Sequence, residues 1–139
     1  MGREVIGKET GDRSKTGALK LDTGKPRFDL MPPGPLIEVA RVYQIGADKY
    51  GERNMELGMP YGRISKAMFS HLLKWMNGET FDSTDGQHHL ASVAWGALTL
   101  MDYETRCPEF DDRSPSFVVN QLEWRDKIAK EIQVPKKKK

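Results

Sequence analysis

Apolar positions recur along most of this chain at helical rather than strand spacing. Leu36, Ala40, Tyr43, Ala47 and Tyr50 follow alternating four- and three-residue steps, which predicts an amphipathic helix over 35–50. At about 100° per residue, Glu38, Val42, Ile45 and Lys49 form a second line roughly opposite the first, so this helix expects cover on both sides. Ile64, Met68, Leu72 and Trp75 keep one register, with His71 in the same stripe and Phe69, Leu73 and Met76 on its edge, predicting a helix over 63–77. A third helix, running to 104, is apolar almost all round through Leu90, Val93, Ala94, Trp95, Leu98, Leu100 and Met101. That pattern places it at the centre of a bundle. Phe117, Trp124, Ile128 and Ile132 lie on one face of a fourth helix, 115–133.

The breaks between helices carry their own signals. Four prolines in residues 25–35 predict a rigid extended lead-in, with Pro35 in the first turn of the first helix. Gly51 and Gly78 end the first and second helices. Asp85 or Thr84 is expected to cap the third, and Ser114-Pro115 to open the fourth. Residues 19–21 and 28–31 are the short strand candidates. The expected organisation is a polar tail over 1–24, a helical core over 25–105, and a linker, amphipathic helix and lysine tail over 106–139. The fold class that follows is all-α, a small bundle of about four helices.

Composition narrows the class. The chain has 139 residues, 37% hydrophobic and 30% charged, so one domain with polar ends fits better than two domains. The formal charge is +2, too balanced to argue for a nucleic-acid partner, and Lys136–Lys139 reads as a solvated run. One cysteine, Cys107, permits no internal disulfide and fits a reducing compartment. No apolar run approaches about 18 residues, and the first residues do not resemble a signal peptide. A soluble intracellular protein is therefore expected. The two-sided first helix predicts a homo-oligomer, a dimer or a tetramer.

Two clusters carry candidate chemistry. The first is Glu38, His71, Glu79, Asp82, Asp85, His88 and His89. Carboxylates and imidazoles from neighbouring helices hold divalent metals in many bundles, and oxygen ligands with retained water suit Mg²⁺ or Mn²⁺. The competing reading makes Glu79, Asp82 and Asp85 a solvated connector with a helix cap, and His71 a core histidine. His89, in the first turn of its helix after an acidic loop, is better placed for chemistry than His88, which points away by about 100°. The second cluster is Lys25, Arg27, Lys49, Arg53 and Arg63, suited to phosphate oxygens or simply to solubility. Phosphate-cradling glycine loops, dinucleotide fingerprints and serine elbows are absent from the sequence, and Cys107 has no base placed beside it.

Three blocks together resemble a known family: "KPRFDLMPPGPLIEVARVYQIGADKYGERN", "SHLLKWMNGETFD" and "GQHHLASVAWGALTLMDYE". In order and spacing they are similar to the phage and bacterial dATP/dGTP diphosphohydrolase N-terminal domain family, over residues 24–104. The resemblance implies a MazG-like helical pyrophosphohydrolase that splits a purine deoxynucleoside triphosphate to monophosphate and pyrophosphate in a phage or bacterial host cytoplasm. It implies Mg²⁺ or Mn²⁺ held by Glu38, Glu79, Asp82 and His71, with His89 and Glu38 at the chemistry. Lys25, Arg27, Lys49, Tyr50, Arg53, Asn54 and Trp95 would then bind substrate, with Asp29 and Gly51 also matching. Met55 and Ser92 depart from the family pattern, which commonly has Trp and His there. Two rival functions remain: a non-enzymatic helical scaffold, and a histidine-dependent phosphohydrolase releasing triphosphate or phosphate.

Overall fold

The computed structural model describes residues 17, 18, 20, 21, 23–116 and 121–131. The chain divides into two compact units, Met1–Gly34 and Pro35–Lys139. In the first, residues Phe28–Leu30 form a 3₁₀ turn where an extended lead-in or short strand was expected. The reason is local: Arg27 forks onto both oxygens of Asp29, at 2.8 and 2.6 Å, and draws the backbone into a turn.

Among the described residues four α-helices follow: α1 Pro33–Tyr50, α2 Tyr61–Met76, α3 His89–Arg106 and α4 Gln121–Glu131. The all-α expectation holds, with one isolated bridge, Phe81 to His88, as the β-like feature among the described residues. Helix α1 starts two residues before Pro35. Pro33 and Pro35 both fit its first turn, where backbone N–H groups have no helical partner. It stops at Gly51, which adopts a left-handed φ of +92°. The described part of helix α4 is Gln121–Glu131; Ser114 has no regular structure and Pro115 lies in a turn, so Ser114-Pro115 does not open a helix, and Phe117 and Ile132 fall outside the described residues.

The core lies between α2 and α3. Tyr61 packs near Tyr103, Ile64 and Met68 meet Gly96, and His71 meets His89, so the two helices run antiparallel. Gly96 permits the close approach: a Cβ there would fall on the Met68 side chain and within 3.4 Å of Ile64 Cγ2. Tyr61, Ile64, Tyr103 and Cys107 are buried together, with Met59, Met68, Trp95, Leu100 and Phe110 packed on them. The Tyr61 hydroxyl donates to the Tyr103 carbonyl at 2.9 Å and lies 3.4 Å from that of Cys107, meeting acceptors at the end of α3. The Tyr103 hydroxyl donates to the Met55 carbonyl and pins the Asn54–Leu57 3₁₀ turn to α3.

Two expectations about packing change. Helix α3 is not covered all round, for Leu98 and Met101 are 48% and 67% exposed. On α1 the inward residue is Val42, from the second line, while Leu36 and Tyr50 of the first line face outward. Tyr43 meets the edge of Trp95, with ring centroids 6.3 Å apart. Within the described residues, no helix is long and apolar enough to cross a membrane.

Candidate active site

The connector from α2 to α3 is a short clasp rather than a loose acidic loop. Asp82 N–H donates to Gln87 O at 2.7 Å, Gly86 N–H to Asp82 O at 2.8 Å, and His89 N–H to Thr80 O at 3.0 Å. These bonds close residues 80–89 on themselves and fix Asp82 beside the start of α3. The cap of α3 is neither Asp85 nor Thr84. It is His88, whose Nδ1 accepts from Leu90 N–H at 3.1 Å while its ring meets Phe81 edge-on. The clasp commits Asp85 and Thr84 elsewhere: Thr84 donates its N–H and hydroxyl to Asp82 Oδ1, and Asp85 accepts from Gln87 and Lys49.

One consequence is a convergence of three ligand-bearing groups. His71 from α2, Asp82 from the clasp and His89 from α3 each offer a ligand atom, all within 4.8 Å of one another. The two imidazoles approach Nδ1 to Nδ1 at 2.8 Å. His89 is fully buried, and its Nε2 lies 3.2 Å from Glu79 Oε1. That contact is close enough for ion pairing, yet its geometry is too poor for a hydrogen bond, leaving Nε2 buried and unsatisfied. Burial, and then the neighbouring His89, hold the His71 pKa below its ordinary value. The Thr84 hydroxyl and N–H keep Asp82 below the usual carboxylate range, so it is charged near neutrality.

Beside this cluster lies a cavity of about 660 Å³, the size of a small-ligand site. His71 and Asp82 line it, as do Lys49, Tyr50, Arg53 and Asn54 from the end of α1 and the turn after it. Met55, Met59, Met68 and Trp95 give it an apolar part. Lys49 Nζ meets Asp85 at 3.0 Å, which raises the lysine pKa and ties α1 to the clasp. Arg53 pairs with Glu56 at 2.8 Å and holds a left-handed φ of +60°, the positive value for a non-glycine among the described residues. Such backbone strain costs about 1–3 kcal/mol and gathers at functional sites.

Not every residue singled out from the sequence meets at this point. Glu38 lies one turn before Val42, the first cavity-lining residue of α1, and pairs with Arg41 at 3.4 Å. Glu79 touches His89 but is not one of the three convergent groups. Lys25 and Arg27 belong to the first unit, where Arg27 is engaged by Asp29. Arg63 does not line the cavity. Sequence reasoning passed over Gln87, whose side chain receives the Ser92 hydroxyl at 2.7 Å and donates to Asp85 at 2.9 Å. No periodic signal marks it.

Fold and site together define an all-α domain with a histidine–carboxylate cluster opening on a ligand-sized cavity. The chain belongs to the family described as dATP/dGTP diphosphohydrolase, N-terminal, whose model matches residues 15–113, and the resemblance of the three sequence blocks is borne out. It is 35% identical over 101 residues to a dATP/dGTP diphosphohydrolase of Salmonella phage PMBT28. The match covers 73% of this chain and 34% of that protein, so the chain spans about a third of its relative's length. No solved structure matches.

Proposed function

We propose that this domain hydrolyses a purine deoxynucleoside triphosphate to the monophosphate and pyrophosphate with the help of a divalent ion held at His71, Asp82 and His89. The observation that carries this reading is the convergence of those three groups beside a cavity that also presents Lys49 and Arg53. The family and the phage relative's name support the substrate class. A bound divalent ion supplies positive charge to the polyphosphate and acidifies water.

The chain's own groups do the rest. Asp82, held charged by Thr84, contributes the negative ligand. His71 and His89 contribute imidazoles, and Glu79 orients His89 from behind. Lys49 and Arg53 offer positive charge to phosphate oxygens, with Asn54 as a neutral donor beside them. Trp95 and Tyr50 give aromatic surface for a base. The test is product analysis after incubating the protein with dATP or dGTP and a divalent ion. Monophosphate plus pyrophosphate supports the proposal, release of inorganic triphosphate or phosphate replaces it with a different hydrolysis, and no turnover of any deoxynucleoside triphosphate overturns it.

We also infer a homo-oligomer. Phe69, Leu73 and Met76 stand one turn apart on α2 and are 67%, 62% and 67% exposed, with Leu98 and Met101 exposed on α3. Apolar side chains repeating on neighbouring helices are what a self-complementary interface requires. Light scattering at micromolar concentration should give a dimer or tetramer, and a monomer would contradict the inference.

A further inference from the structure

The donor set at the α2–α3 end has a chemical preference of its own. Two of its three groups are imidazoles, and one is a carboxylate. Mg²⁺ is usually held through one or two carboxylates, retained water and substrate phosphates, and gains little from nitrogen. Imidazole suits the later first-row ions, whose affinities rise from Mn²⁺ through Fe²⁺ and Co²⁺.

The surroundings of His89 strengthen the case. A neutral imidazole carries one N–H, and its second nitrogen keeps a lone pair. A proton on Nε2, the nitrogen 3.2 Å from the Glu79 carboxylate, would leave the His89 lone pair on Nδ1, facing His71 Nδ1 at 2.8 Å. A carboxylate stands behind the far nitrogen of many metal-ligating histidines, and Glu79 occupies that position at ion-pair distance although it makes no hydrogen bond to Nε2 here. His89 has no exposed surface, and Nδ1, its nitrogen on the cluster side, lies 2.8 Å from His71 Nδ1, so the partner of that nitrogen depends on what this cluster holds. Both bonds from Thr84 fall on Asp82 Oδ1, which fixes the carboxylate without engaging Oδ2.

We propose that His71, Asp82 and His89 form a nitrogen-rich site that takes a first-row transition ion, with Co²⁺, Fe²⁺ or Zn²⁺ preferred to Mg²⁺, and that Glu79 is its positioning residue. This rests on the proposed function for its location but concerns the ion alone. The experiment uses chelator-treated full-length protein without nucleotide, titrated with Co²⁺ and followed by visible d–d absorption and calorimetry. The expected result is one equivalent of Co²⁺ bound, a spectrum showing nitrogen ligation, and retention of Co²⁺ against excess Mg²⁺. Glu79→Gln should weaken Co²⁺ binding by about 10–100-fold while the spectrum keeps its nitrogen-ligated form. His71→Asn, checked for helix content by circular dichroism, should change the spectrum itself.

Displacement of Co²⁺ by comparable Mg²⁺, or a spectrum without nitrogen ligation, overturns the inference, and the wild-type competition needs no variant to fold. The two proposals fail separately. Hydrolysis supported by Mg²⁺ with no imidazole-held Co²⁺ removes the ion preference and leaves the reaction. Tight Co²⁺ binding with no turnover under any ion removes the reaction and leaves the site.

Discussion

Gly96→Ala puts the α2–α3 contact under direct strain. In an exposed helix the change would stabilise by about 1 kcal/mol, because glycine is a poor helix former. Here the new Cβ would fall on Cγ and Sδ of Met68, with Ile64 Cγ2 only 3.4 Å away. Met68 Sδ can swing aside, whereas Cγ is tied closer to the α2 backbone, so helix and side chain must both shift. Overpacking of this kind costs about 1–3 kcal/mol, which outweighs the helical gain and leaves a net loss of about 1 kcal/mol. For a domain of this size, that lowers the melting temperature by about 4 °C or somewhat more.

A double-mutant cycle with Met68→Ala separates the two effects. Met68→Ala alone destabilises by about 2 kcal/mol, the low end for a large-to-small change, because Met68 borders the cavity rather than sitting wholly inside the core. In that background the clash is gone, and Gly96→Ala should stabilise by about 1 kcal/mol. The sign of the alanine effect therefore reverses, a coupling of about 2 kcal/mol, well above the few tenths that independent sites show. Urea unfolding monitored by circular dichroism on all four proteins measures it. Additive effects would refute the claim that Gly96 exists to admit Met68.

Three further predictions follow from the same geometry. Tyr61→Phe removes the hydroxyl that serves the end of α3, and should lower stability by about 1 kcal/mol in urea titration, since both carbonyls keep backbone donors. Lys49→Met breaks a half-exposed pair with Asp85, so stability should change by less than about 1 kcal/mol while KM for the nucleotide rises and kcat holds; a fall in kcat at constant KM would contradict a phosphate-binding role. His71 has its pKa held below 6.5, so the unfolded chain takes up more protons than the folded one as pH falls past that value. Metal-free protein should therefore lose stability between about pH 7 and about pH 5, before most carboxylates titrate, and a flat urea midpoint across that window would count against the part-buried imidazole pair.

The helices were legible because burial along one face imposes a period, and α2 and α3 each keep one long enough to read. Their ends were less so. Asp85 and Thr84 have the chemistry of helix caps, but the clasp engages both, and His88 takes the position instead. The meeting of His71 with His89 was half visible, as two histidines near helix ends that short connectors bring together. The third member, Asp82, is placed by backbone bonds within residues 80–89, and such bonds leave no trace in hydrophobic spacing. Glu38 shows the opposite limit. Its residue type suits a metal, and in the structure its carboxylate pairs with Arg41, one turn along the same helix. The exposed Phe69, Leu73 and Met76 were readable as an edge, but spacing alone does not say whether another helix covers that edge.

The central claim is that one ion held by His71, Asp82 and His89 is the centre at which a triphosphate is cleaved. Its most direct test measures bound ion and dGTP cleavage side by side in the parent protein and in Asp82→Asn, with circular dichroism to confirm the fold. The account predicts one ion per chain and pyrophosphate release in the parent, and loss of both in a folded variant. Undiminished cleavage by Asp82→Asn would contradict it.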